Sequence, residues 1–237
     1  LFQWDKIGNK CFKNSTMILP ICKYLSGIVH QNYPNKKTDV LYQGIDTSRW
    51  YPVQKMELKH PCVGLLQGAW IWGKAKEMLT LTKVMEAMPD VMFYWAGDGP
   101  YRDQILSVLS KYKNFKWLGS LEYPDKVREY LASIDVYALM SGLDMAPHTI
   151  LEASAMKKPV VATNVGGIPE LVNNESSYLI EIGNHKEWID KLSILINDKE
   201  KRKQMGLAGY EFIKNNFTWN IVVKRFIQII DEVKVRI

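Results

Sequence analysis

From residue 61 onward the chain should fold as a doubly wound parallel sheet of the α/β class. Two observations predict this. Short apolar runs alternate with amphipathic stretches of helical period, and the apolar runs are continuous instead of alternating with polar residues. A strand roofed by helices on both faces meets no water, so the polar half of that alternation has no role.

The elements follow in order. PCVGLLQ (61–67) reads as a strand, and AKEMLTLTKVMEAM (75–88) as a helix stopped by Pro89. VMFYWAG (91–97) is a strand closed by Gly-Asp-Gly-Pro. YRDQILSVLSKY (101–112) is a helix with apolar residues at 105, 106 and 109. FKWLG (115–119) is a short strand, DKVREYLASI (125–134) a helix, DVYALM (135–140) a strand and PHTILEASAM (147–156) a helix. PVVAT (159–163), GIPELV (167–172) and SYLI (177–180) make strand, short helix and strand; helices at 185–197, 199–215 and 218–235 finish the chain. The last helix carries a broad apolar face that must pack on something.

Residues 1–55 fit this unit less neatly. STMILP (15–20) reads as a strand, CKYLSGIVHQ (22–31) as a helix and TDVLYQGID (38–46) as a strand, with Pro52 and the polar QKMELKH (54–60) as a linker. One βαβ piece cannot bury both of its faces. It is therefore either an edge of the main sheet or the end of another domain.

With 47% apolar and 24% charged residues among 237, the composition is globular and excludes a disordered or fibrous chain. The longest apolar run, residues 63–72, falls well short of the roughly 20 residues of a membrane span. No signal-like segment is visible, and the opening Leu1, with no initiating Met, leads us to expect a fragment. Cys11, Cys22 and Cys62 are widely and irregularly spaced, which points to reduced thiols and a cytoplasmic setting. Residues 1–60 hold nine Lys/Arg against four Asp/Glu, hence +5 of the net +6. Such a segment suits peripheral contact with an anionic membrane surface, or phosphorylated substrates. No nucleic-acid partner is expected.

Several stretches carry possible chemistry. GAWIWGKA (68–75) lies one residue from the phosphate loop GxxxxGK[ST]. Ala75 lacks the hydroxyl that holds Mg²⁺, and Trp70, Ile71 and Trp72 are too bulky for amides that wrap phosphates. Lys74, at a helix start, still suits an anion. AGDGPY (96–101) is read as a tight strand-to-helix turn.

The stretch SGLDMAPHTILEASAMKKPVVATNVGGIPEL (141–171) is richer. Helical period puts Ile150, Leu151 and Ala155 on the buried face, and His148 and Glu152 together on another stripe. Side chains lean toward the helix N-terminus, so Glu152 points back toward the loop holding Asp144. The two carboxylates should line one crevice at the carboxyl edge of the sheet. An acid/base pair needs one raised pKa, and nothing in the sequence supplies apolar surroundings for Glu152; ligand holding is the favoured reading. In VGGIPE (165–170) the paired glycines serve a tight turn or a loop whose backbone approaches a ligand closely, and both readings stand.

Taken in order, GDGP, the WLG strand end, Asp-x7-Glu with LEASAMKKPVVAT, then VGGIPELV resemble a family-4 glycosyltransferase (glycosyltransferase group 1). The resemblance covers about residues 38–235, with YQGID (42–46) similar to the turn into the family's second domain and FTW (217–219) similar to its closing helix start. It implies a GT-B architecture of two Rossmann-like domains, of which this chain is the C-terminal half. Residues 1–50 then form the tail of an N-terminal acceptor domain, 51–217 the nucleotide-sugar domain, and 218–237 a helix packing back toward the N-terminal domain.

The resemblance also assigns roles. Glu152 matches the Glu that binds the ribose. Asp144 takes the place of a Glu that meets the donor sugar and is one methylene shorter. Ala146, Pro147, His148 and Thr149 lie where backbone amides meet the sugar and diphosphate. Pro147 stands where the family has Gly and has no N–H, which leaves His148 and Thr149 on the diphosphate and Asp144, Ala146 and Pro147 beside the sugar. Leu121 matches a position packing on the nucleobase. Lys74 matches the clamp lysine, and the clamp's Arg is missing from GLLQGAW (64–70), so charge neutralisation falls to Lys74 with Lys76.

The leading expectation is a retaining transferase that moves a sugar from a UDP- or GDP-linked donor to a glycan or lipid-linked acceptor. No cofactor is expected, and no metal, since the chain contains no Asp-x-Asp pair. Catalytic residues are not assigned, and this chain alone should transfer weakly or not at all. A sugar-nucleotide epimerase of similar fold, with His148 in its cleft, and a non-catalytic nucleotide-binding module are the alternatives.

Overall fold

The computed structural model describes residues 6–234. Residues 1–5 and the last three of the expected 218–237 segment lie outside them.

Six parallel strands form one sheet: β1 (Cys62–Leu66), β2 (Met92–Ala96), β3 (Phe115–Gly119), β4 (Val136–Leu139), β5 (Val160–Thr163) and β6 (Ser177–Ile180). Their order is β3-β2-β1-β4-β5-β6. The direction of winding reverses between β1 and β4, and that switch point opens a crevice beyond the carboxyl ends of the strands.

Successive residues of a strand face opposite sides, and the core divides accordingly. Val63, Leu65, Phe93, Trp95, Val136 and Val161 pack under one helical layer. It is made by α4 (Leu81–Ala87), α5 (Arg102–Leu109) and α8 (His185–Asn197). Cys62, Leu66, Tyr94, Tyr137, Leu139 and Val160 face the other. There α6 (Asp125–Ser133), α7 (His148–Ala155) and α9 (Lys199–Asn216) cover them. Every residue of β1, β4 and β5 is buried. Asn184 and Asp198 cap α8 and α9, their side chains accepting from the Glu187 amide at 3.3 Å and the Lys201 amide at 2.8 Å.

The helix expected over 75–88 is broken. A short α3 (Trp72–Ala75) runs into a 3₁₀ turn, Lys76–Thr80, before α4 begins. The buried Glu77 carboxylate accepts there from the Thr80 hydroxyl at 3.1 Å and the Gly183 amide at 2.8 Å. Buried charge needs such donors, and the tight turn supplies one of them.

The N-terminal segment also differs from expectation. The sheet takes no strand from residues 6–61. In place of strands at 15–20 and 38–46, the structure has isolated bridges, Ile18 with Thr38 and Ile45 with Thr218. The first run lies parallel to the start of the second. The Ile18 amide donates to the Lys37 carbonyl at 3.0 Å, and the Asp39 and Leu41 amides donate to the Ile18 and Pro20 carbonyls at 3.2 and 3.0 Å. Pro20 has no N–H to return, and the pairing stops at a bridge. Two helices stand here, α1 (Lys6–Asn14), which was not expected, and α2 (Lys23–Asn32). Phe12, Ile18, Leu25 and Val29 line an apolar hollow of about 380 Å³ between them.

The last helix, α10 (Trp219–Lys234), lies against this segment. Arg225 pairs with Asp39, the Ile45 amide donates to the Phe217 carbonyl at 2.8 Å, and the Trp219 ring leaves no space for a Cβ at Gly44. Cys11, Cys22 and Cys62 are free thiols. No helix among the described residues is long and apolar enough to cross a membrane.

Candidate nucleotide site

Three chain segments converge at the switch point. The Gly142 amide donates to the Lys74 carbonyl at 3.0 Å, which docks the loop after β4 on α3. Lys74 forms an ion pair with Asp144, whose buried Oδ2 has no hydrogen-bond donor besides it. Asp144 Oδ1 accepts from the Met145 amide at 3.0 Å. The third segment is the Gly-Gly turn: the Gly167 amide donates to the Asp144 carbonyl at 3.0 Å, and Gly166 sits at φ +57°. A Cβ at either glycine would overlap the Asp144 or Met145 carbonyl oxygen. The tight-turn reading of VGGIPE is therefore met here, and the close approach of these glycines is to the protein's own backbone.

Beyond the ends of β1 and β2 lies a hollow of about 250 Å³. Gln67, Gly97, Leu121 and Thr149 are among its lining residues, so the expected base and diphosphate residues share one cavity. Gln67 is the polar side chain nearest the place of the missing Arg, and it is already committed. Its Nε2 donates to the Met140 carbonyl at 2.8 Å and its Oε1 accepts from the Met140 amide at 3.1 Å. It ties β1 to β4 and carries no charge to replace the Arg. Lys76 is exposed.

Helix α7 starts at Pro147, which is extended at ψ 112° and makes no side-chain cap. The first amide to bond within the helix is that of Ile150, to the Pro147 carbonyl at 3.1 Å. The His148 and Thr149 amides precede it, as the first orphan donors of a helix do. Asp144 does not cap the helix. The Thr149 hydroxyl accepts from the Tyr137 phenol at 2.7 Å, and burial pushes that phenol's pKa up.

Glu152 is buried, with 6% of its side chain exposed, and is not the surface group its type suggests. Its Oε1 lies 3.2 Å from His148 Nδ1, and His148 Nε2 lies 3.1 Å from the Gly44 carbonyl. The Glu152 hydrogen bond holds His148 above its ordinary pKa, against the burial that would lower it. Burial, then the charge of Glu152, raises the Tyr123 phenol. Periodicity placed His148 beside Glu152; the Gly44, Tyr123 and Tyr137 contacts have no signal in sequence because each partner lies far along the chain.

Glu170 takes a structural role beside the site. It accepts from the Lys23 and Tyr24 amides at 2.8 and 3.0 Å and from the Tyr42 phenol at 2.8 Å. Its carboxylate thus caps α2 from another segment. Glu170→Ala should lower stability by about 1–3 kcal/mol through the lost charge-assisted bonds. Calorimetry should show a drop in Tm of about 2–4 °C per kcal/mol for a chain this long.

Among the described residues, His60, Cys62 and Asp135 are the group with donor atoms close enough to share an ion. They stand at the opposite, amino-terminal edge of the sheet. Burial raises the Asp135 pKa, but bonds from His60 at 2.7 Å and the Cys62 amide at 2.9 Å outweigh it and hold the carboxyl low.

Comparison with known proteins shows the family and the fold. A GDP-mannose-dependent monoacylated alpha-(1-6)-phosphatidylinositol monomannoside mannosyltransferase of Corynebacterium glutamicum is 30% identical over 166 residues, 67% of this chain and 43% of that protein. An N-acetyl-alpha-D-glucosaminyl L-malate synthase of Bacillus anthracis is 26% identical over 203 residues, 81% of this chain and 53% of that protein. The chain thus spans about half the length of these relatives. Among solved structures, sucrose-phosphate synthase of Thermosynechococcus elongatus superposes with a TM-score of 0.83 at 17% identity, covering 98% of this chain and 62% of that one. Anabaena HepE in complex with UDP and glucose gives 0.77 at 19% identity, covering 94% and 65%. The fold is the Rossmann-like C-terminal half of a GT-B protein. Residues 73–212 match the model of the family described as glycosyl transferases group 1, and the chain belongs to that family.

Proposed function

We propose that this chain supplies the donor-binding half of a retaining glycosyltransferase, taking a UDP- or GDP-linked sugar. The observation that supports this reading is the switch-point hollow lined by Leu121 and Thr149 at the start of α7, the helix that carries the buried Glu152, with Lys74 paired to Asp144 in the loop before that helix. In this reading Glu152 accepts the ribose hydroxyls and Leu121 packs on the base. The amides of His148 and Thr149, with Lys74, meet the diphosphate, and Asp144, Ala146 and Pro147 border the sugar. Charge on the departing diphosphate is met by these fixed dipoles and the ammonium group, which act without a metal. Lys74 is paired with Asp144, so in this reading donor phosphates share or displace that pair.

Residues 1–50 would close a preceding acceptor-binding domain, 51–217 form the nucleotide domain, and the helix from 218 return to the first. The acceptor would be a glycan or a lipid-linked group, with the basic N-terminal segment against an anionic membrane face. A His148 ring held on both nitrogens disfavours the epimerase reading, which needs it free in the cleft.

Calorimetric titration with UDP and GDP, and with their sugar conjugates, tests the proposal. One nucleotide should bind, and Lys74→Ala should weaken it by roughly 10- to 100-fold, the value of one charge-assisted hydrogen bond. No binding of either nucleotide would overturn the reading. Unchanged affinity in Lys74→Ala would remove Lys74 from it. Binding without turnover in the longer protein would favour the non-catalytic module.

A further inference from the structure

Each nitrogen of the His148 ring faces an oxygen acceptor: Nδ1 the Glu152 carboxylate at 3.2 Å, Nε2 the Gly44 carbonyl at 3.1 Å. A neutral imidazole has one donor and one acceptor, so one of these contacts would set a lone pair against an oxygen. The imidazolium, with two donors, satisfies both. In that form the ring is also the cation that faces Glu152, since Lys74 is engaged by Asp144.

The Gly44 end of this bridge is firmly seated. The Ile45 amide bonds the Phe217 carbonyl at 2.8 Å, and Trp219 packs against Gly44 itself. The bridge therefore joins the helix carrying the crevice residues to the segment that leads into the sheet and to the start of α10.

We propose that His148 is a positioning residue which, in its protonated form, fixes the Glu152 carboxylate toward a nucleotide ribose and ties α7 to residues 42–46. The inference rests on the nucleotide-site reading above and deepens it. The titratable and charged groups around the ring are few. Glu152 lies on the same helix. Tyr123, itself influenced by Arg49, approaches Glu152 from the loop before α6, and Tyr137 comes from β4. Asp144 lies in the preceding loop with Lys74, and Asp46 follows Gly44 in the segment that the ring holds. The hydrogen bond to Glu152 raises the pKa of His148. Protonation is therefore retained toward neutral pH and lost as the pH rises further.

The consequence is a pH dependence of nucleotide affinity carried by one side chain. Kd for the bound nucleoside diphosphate should rise about tenfold between pH 6 and pH 9 in the wild type, as expected when a bound anion shifts a neighbouring pKa by about one unit. His148→Asn keeps one donor and loses the charge. It should bind about tenfold more weakly at pH 6 and converge on the wild type at pH 9. Titration of the nucleotide itself is common to both proteins and cancels in the comparison.

A second measurement needs no ligand. The ring resonance absent from His148→Asn should titrate above the usual histidine value in the wild type and fall back in Glu152→Gln. A wild-type His148 that titrates at or below that value overturns the inference. So does a His148→Asn profile that follows the wild type at every pH. Absence of nucleotide binding at any pH overturns the nucleotide-site reading and this inference with it, whereas pH-independent binding overturns this inference alone.

Discussion

Glu152→Gln should weaken binding of the nucleoside diphosphate by roughly 10- to 100-fold. The loss corresponds to about 1.5–3 kcal/mol for hydrogen bonds accepted by a charged group. The substitution keeps the volume of the side chain and its position on α7, so the core around Ile150 and Leu151 should persist. What changes is the acceptor. A carboxylate can take both hydroxyls of a ribose, whereas an amide presents one oxygen beside a donating NH₂ group. The same change leaves His148 Nδ1 facing at best a neutral amide oxygen, so part of the loss comes from a ring with no counter-charge. Titration calorimetry of wild type and variant at pH 6 checks the magnitude, and circular dichroism establishes that the fold survives. Equal affinities would take Glu152 out of the site.

Gly166→Ala should lower stability by about 3 kcal/mol and abolish nucleotide binding at concentrations that saturate the wild type. Two effects add. The residue sits at φ +57°, where a side chain costs about 1–2 kcal/mol. The added methyl would also overlap the carbonyl oxygen of Asp144, and relieving such overpacking costs about 1–3 kcal/mol. The neighbour cannot yield cheaply, because that carbonyl already accepts from the Gly167 amide and its side chain is paired with Lys74. Displacing it moves the loop that sets Lys74 and the start of α7. Thermal unfolding should show a Tm about 6–12 °C lower. A variant that melts like the wild type would show that the Gly-Gly turn does not support the crevice.

Much of this architecture was legible in the chain, for a physical reason. Strands such as VVAT and helices such as DKVREYLASI announce themselves through local period and continuous apolarity, which depend on neighbours three or four residues away. The positions of Asp144 and Glu152 relative to a strand end and a helix start follow from the same local rules. The N-terminal runs were misread as strands because apolarity alone does not make a ladder. Ile18 and Ile45 find only single bridge partners, and that depends on what else lies nearby.

By itself, then, the sequence determined the α/β class, most element boundaries beyond residue 61, the crowding of candidate ligand-holding residues into 141–171, and a family resemblance that the family match upholds. Only the tertiary structure decided the strand order, and with it that the winding reverses between β1 and β4. It alone paired Lys74 with Asp144, set Glu170 on the amino terminus of α2, and bridged Glu152 to Gly44 through His148. The reason is range. Secondary structure is settled by spacing along the chain, whereas the charge state and partner of a buried group are settled by whichever distant atoms desolvate and face it.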